Sequence, residues 1–130
     1  MSVLLDLSIF PVDQGSSLSR FIAPVVDMIA ASGHAHQLNA MGTQIETDTL
    51  GEALVLIERA QAILADLGCE RVYATAKFDI RADAHERLRG KVDSVNRRRQ
   101  QSTEAQTLLA SEPPAASGED ADARRETALT

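Results

Sequence analysis

Val3-Leu4-Leu5-Asp6-Leu7-Ser8-Ile9-Phe10 decides the fold class. Leu5, Leu7 and Ile9 alternate with Leu4, Asp6, Ser8 and Phe10, and Pro11 ends the run. A period of two over this length predicts a strand with one apolar face and one mixed face. The apolar face needs a covering layer, and the next segment supplies one. Asp13–Ser16 reads as a loop, with Ser16 or Ser17 as candidate N-cap. Leu18, Phe21, Ile22, Val25, Val26 and Ile29 then recur at helical spacing until Gly33. Pro24 falls inside that helix and is expected to bend it or to delay its start.

Two further strands follow. His34–Ala40 places Leu38 and Ala40 on one side and Gln37 and Asn39 on the other. Met41-Gly42 is a tight connection to Thr43–Thr47, in which Ile45 must point inward. Asp48 or Thr49 caps a second helix carrying Leu50, Ala53, Leu54, Ile57, Ala60, Ile63, Leu64 and Leu67 on one stripe, and Gly68 stops it. Arg71–Ile80 is the fourth strand, with Val72, Ala74, Ala76, Phe78 and Ile80 opposed to Tyr73, Thr75, Lys77 and Asp79. A charged third helix spans His85–Arg99, with Leu88, Val92 and Val95 as a thin apolar stripe.

The order β-α-β-β-α-β plus a helix predicts an α+β, ferredoxin-like βαββαβ sandwich with an added C-terminal helix. Other α+β sandwiches share that chain order, but the short Met41-Gly42 link favours a central hairpin in a four-stranded antiparallel sheet. Helices on one face leave the other to solvent, a partner or a ligand.

Composition narrows the function. The 130 residues are 44% hydrophobic and 25% charged, with a formal net charge of -6. No apolar window is long enough to span a membrane, and the opening Met1–Asp6 reads as no cleaved signal. The lone Cys69 cannot form an internal disulfide. A net-negative chain lacks the footprint of a nucleic-acid binder. From Gln101 onward the chain has no aromatic residue and no Ile or Val, and includes Pro113-Pro114 and Glu119-Asp120-Ala121-Asp122. Residues 1–100 are therefore expected to be the folded domain and 101–130 a flexible acidic tail, with room for a short helical continuation near Leu108–Leu109.

Enzyme signatures are sparse. There is no phosphate loop, no G-x-S-x-G and no H-E-x-x-H. His34 and His36 share a strand face but lack a third ligand. Asp6, Glu46 and Asp79 could serve acid–base chemistry, with no nucleophile near them in sequence. The face opposite the helices mixes short polar with apolar groups, which suits a sheet-on-sheet contact enclosing a polar pocket. It equally suits a solvated face with Asp6–Lys77 as a surface pair worth under ~1 kcal/mol.

Five stretches carry a resemblance: Ser8–Pro11, Ser17–Phe21, Met41–Glu46, Arg71–Arg81 and Lys91–Val95. Together, in this order, they resemble the thiamine-binding-protein-like family, related to the YkoF type, over about residues 1–98. The resemblance implies a cytoplasmic, non-enzymatic protein with no cofactor. It implies a homo-oligomer, a dimer of dimers built through the sheets, that binds thiamine or its hydroxymethylpyrimidine moiety. On that footing Asp6 or Glu46 could meet the thiazolium cation or the exocyclic amine. Ser8, Asn39, Thr43 and Thr75 could read ring nitrogens, and Phe10, Met41 and Tyr73 could flank the ring. Lys77 would pair with Asp6 or Asp79, or favour a phosphate. The alternative is a structural or regulatory homo-oligomer that binds a protein partner and no small ligand.

Overall fold

The computed structural model describes residues 1–111 and Pro113. Its elements are β1 (Ser2–Pro11), α1 (Ser19–Ala31), β2 (Ala35–Asn39), β3 (Gly42–Thr47), α2 (Leu50–Asp66), β4 (Val72–Arg81) and α3 (Arg87–Ser111). The four strands form an antiparallel sheet in the order β2-β3-β1-β4, the ferredoxin-like arrangement.

The alternation in β1 does what its period predicts. Val3, Leu5, Leu7 and Ile9 are buried with Phe21, Val25, Met28 and Ile29 of α1, Ala53, Leu56, Ala60 and Leu64 of α2, and Ile45 of β3. Each large side chain buried here contributes about 1.5–3 kcal/mol. Leu54, assigned to the buried stripe of α2, is half exposed, and Leu56 takes its place in the core. Cys69 is buried among these groups, and burial pushes its thiol pKa up.

The helix ends follow local chemistry, with one correction. Thr49 caps α2 as expected, its Oγ1 accepting from the Glu52 backbone N–H, while the Glu52 carboxylate accepts from the Asp48 N–H. Gly68 ends α2 at φ +85°, a left-handed conformation that glycine adopts freely. The cap of α1, however, is Leu18 with no side-chain hydrogen bond, not Ser16 or Ser17. Core burial of Phe21 and Val25 sets where that helix starts, and a serine cap does not. Pro24 lies within α1, whose bounds it does not interrupt.

Residues Met1–Ser94 form one compact unit, and a second begins at Val95. Residues 101–111, expected in the flexible tail, are helical as the last part of α3. Ala, Gln, Glu and Leu are strong helix formers, and Thr107 Oγ1 donates to the Thr103 carbonyl at 2.9 Å. Most of the remaining expected tail lies outside the described residues. Among the described residues, no helix is long and apolar enough to cross a membrane.

Candidate functional site

Register places the face that α1 and α2 do not cover. Directly opposed residues of an antiparallel pair share a face. Leu4↔Asp79, Asp6↔Lys77, Ser8↔Thr75 and Phe10↔Tyr73 therefore form four successive rows across β1 and β4. Gln44 and Glu46 join from β3, opposite Asp6 and Leu4, and β2 adds Gln37 and Asn39.

One end of this face is sealed by the first turn of α3. The Glu46 carboxylate accepts from the Arg87 N–H at 2.9 Å and the Leu88 N–H at 3.1 Å, and from the Ser2 hydroxyl. A β3 side chain thus caps a helix that starts forty-one residues later, satisfying donors a helix N-terminus leaves free. Burial raises the Glu46 pKa, but these hydrogen bonds and the Arg87 charge outweigh it and hold the carboxyl below its usual range. The Arg87 side chain is only 6% exposed. It donates to the Ser2 hydroxyl at 3.0 Å, to the Ser2 carbonyl at 2.8 Å and to the Asp79 carbonyl. Its Nη1 meets the Asp79 carboxylate at 2.8 Å as an ionic contact without directed hydrogen-bond geometry. Lys91 Nζ reaches the same carboxylate at 2.6 Å, and its hydrogen bond leads the effects that lower the Asp79 pKa.

Beside the sealed end lies an open cleft of about 290 Å³, lined chiefly by Leu4, Asp6, Gln44, Lys77, Asp79 and Leu88. Lys77 Nζ stands 3.6 Å from Asp6 Oδ2, with the two side chains 75% and 40% exposed. Gln44 Nε2 donates to Asp6 Oδ1 at 3.3 Å, and Asn39 Nδ2 donates to Gln44 Oε1. These amides orient Asp6 on one side while Lys77 faces it on the other. Gly42 lets the hairpin approach this closely, since a Cβ there would sit 2.8 Å from the Leu7 carbonyl oxygen.

The expected site residues divide. Asp6, Lys77, Asn39, Ser8, Thr75, Phe10 and Tyr73 do share the uncovered face. The Phe10 and Tyr73 rings lie 5.8 Å apart at 38°. Glu46 also lies there, but its carboxylate is committed to capping α3. Thr43 lies on the helix-covered face instead: it pairs with buried Leu7 and is itself buried, the parity that Ile45 dictates. Met41 sits in the hairpin turn, 88% exposed, rather than over the sheet. Ser8, Phe10, Met41 and Thr43 also line a second cleft of about 360 Å³ beside Ile22 and Val25 of α1.

Gln44, Leu4 and Leu88 line the first cleft without having been expected there as ligand contacts. The strand parity of Gln44 and Leu4 was the available signal. Nothing in the sequence marked Arg87 for burial, since arginine is rarely buried unless paired. His34 and His36 stay at the β2 edge, where His36 Nδ1 lies 3.0 Å from the His34 carbonyl oxygen. Among the described residues, no three His, Cys, Asp or Glu side chains are placed to hold a metal.

The sequence pattern of the family described as thiamine-binding protein matches residues 5–96. The chain belongs to that family. It is 33% identical over 94 residues to a UPF0045 protein of Methanothermobacter thermautotrophicus, covering 72% of this chain and 95% of the relative. A UPF0045 protein of Synechocystis is 30% identical over 73% of this chain and 78% of its own length. The crystal structure of a hypothetical protein of Methanocaldococcus jannaschii superposes with a TM-score of 0.64 at 28% identity, over 73% of this chain and 96% of that one. A candidate thiamine biosynthesis/salvage protein of Thermotoga maritima also reaches a TM-score of 0.64, over 73% and 99%; at 16% identity it shares the fold. The family is described by binding and not by a catalysed reaction.

Proposed function

We propose that this chain is a non-enzymatic binding protein for thiamine or its hydroxymethylpyrimidine moiety, held on the sheet face around Asp6 and Lys77. The observation that carries this reading is the cleft itself. In a thiamine-binding family member, an ordered Asn39–Gln44–Asp6 chain and Lys77 meet between the apolar walls of Leu4 and Leu88. Few polar groups in an apolar setting are the common design of a small-ligand site. Ser8, Thr75, Phe10 and Tyr73 extend the same surface.

The cleft is open on its outer side, so a second subunit facing it would exclude water from a bound ring. A dimer of dimers in the cytoplasm fits this reading. The edge strand β4, with Phe78 and Ile80 partly exposed, supports growth of the sheet into a second copy. Calorimetric titration with thiamine and with hydroxymethylpyrimidine, alongside sedimentation velocity, tests the proposal. Saturable heat and a species larger than a monomer are expected. No heat and no thermal shift at millimolar ligand would leave the alternative of a structural oligomer.

A further inference from the structure

Arg97-Arg98-Arg99 takes no part in the cleft described above. The family pattern ends at residue 96, so this run opens the part of α3 that continues past it to Ser111. The net charge of -6, from which no nucleic-acid contact is expected, is a sum of unlike parts. Residues 87–99 hold six bases and one acid, Asp93, and carry +5, while the rest of the chain carries -11. Arg87 and Lys91 are committed to Asp79 on the sheet. Arg98 and Arg99 are exposed and form no ion pair with another of the described residues.

The run sits inside Asn96–Thr103, which reads NRRRQQST, is helical and exposed throughout, and includes no apolar and no acidic side chain. Each of its side chains can donate a hydrogen bond, and two helical turns aim them all round the axis. Thr103 directs its own donor to the Arg99 carbonyl at 3.0 Å. A protein partner would need an apolar centre to the contact, from which charged residues are depleted. A membrane would need an apolar face. This stretch has neither. Nucleic-acid contacts are more polar and more positive, and many of their hydrogen bonds run from Arg, Asn, Gln, Ser and Thr to phosphate oxygens. The major groove of B-form DNA admits an α-helix, whereas that of A-form RNA is too deep and narrow to be read. We infer that the Asn96–Thr103 stretch of α3 is a docking surface for duplex DNA. Arg98 and Arg99 neutralise phosphates, and Asn96, Gln100 and Gln101 supply further donors. Neither arginine lines the cleft, so this inference and the thiamine reading stand or fall separately.

Fluorescence anisotropy of the full chain with a labelled DNA duplex of roughly two helical turns tests this. Binding should saturate, and affinity should fall between about 50 and 200 mM salt with a log–log slope of about 0.9 per phosphate neutralised. Arg98→Gln combined with Arg99→Gln should lower that slope by about 2 and the affinity by roughly tenfold or more. Glutamine is nearly as good a helix former as arginine, so α3 is retained. Arg59→Gln, which removes an exposed arginine of α2, should leave binding unchanged. Polyglutamate should bind at least about tenfold more weakly than the duplex, and duplex RNA likewise about tenfold. No binding at low salt would overturn the inference. A double variant that binds like the unmodified chain, or an equal loss with Arg59→Gln, would overturn it by moving the contact elsewhere. Polyglutamate binding as tightly as DNA would replace DNA with an acidic protein, and RNA binding as tightly would replace groove entry with a phosphate contact blind to duplex form.

Discussion

The uncovered sheet face holds two neighbouring clusters of acids and bases put to different ends. At the sealed end Arg87 and Lys91 of α3 meet Asp79 of β4 and Glu46 of β3, and the Arg87 side chain is almost wholly buried. In the open cleft Asp6 and Lys77 form a looser pair at 3.6 Å, both in contact with solvent. A guanidinium with a fixed fork and backbone carbonyl partners serves as a structural rivet. A lysine on a flexible stem can turn to meet a ligand. Burial, more than residue type, separates a pair that holds the fold from one free to bind.

That contrast breaks most easily at Arg87. Arg87→Ala should destabilise the protein by about 3 kcal/mol in urea melts, because it empties a buried site and strips partners from buried Ser2 on β1 and from Asp79 on β4. An effect under about 1 kcal/mol would erase the distinction between the two clusters. Gly42→Ala comes next, at about 2 kcal/mol, because its methyl would press on the Leu7 carbonyl and push the hairpin from Asp6. It should also weaken ligand binding, which Arg87→Ala tests less cleanly.

Glu46→Gln should cost about 1–2 kcal/mol, the loss of a charged cap on α3. The folded-state pKa of Glu46 is depressed, so its contribution is complete above the ordinary carboxylate range, about 4. It is lost as pH falls through the lower folded value. The gap between wild type and Glu46→Gln should therefore be constant near neutrality and close only in stronger acid. Urea melts at a series of pH values would show it. The smallest stability effect belongs to the open pair: Lys77→Met should shift stability by under ~1 kcal/mol, while changing ligand preference.

The fold was legible because β1 and α2 carry strong periodicities, and burial follows period when one face meets a core; β4 alternates in sequence too, yet its residues beyond Val72 are exposed. The shared face of Asp6, Ser8, Thr75 and Lys77 followed from the same parity. Two things were not legible. Glu46 pairs across the chain with the start of α3, a contact no local pattern encodes. Arg87 buries a charge, against the usual habit of its type. Thr43, by contrast, is polar yet turned inward, and its parity with Ile45 two residues on already encodes this. Polar residues betray their face through their neighbours' parity, and their partners only through the folded geometry.

The most direct measurement is an amide NMR titration of the full chain with hydroxymethylpyrimidine. The account predicts that shifts concentrate at Leu4, Asp6, Gln44, Lys77 and Leu88, on both sides of the boundary between the open and sealed clusters. Shifts centred instead on Ile22, Val25 and the Met41 turn, or no shifts at saturating ligand, would contradict it.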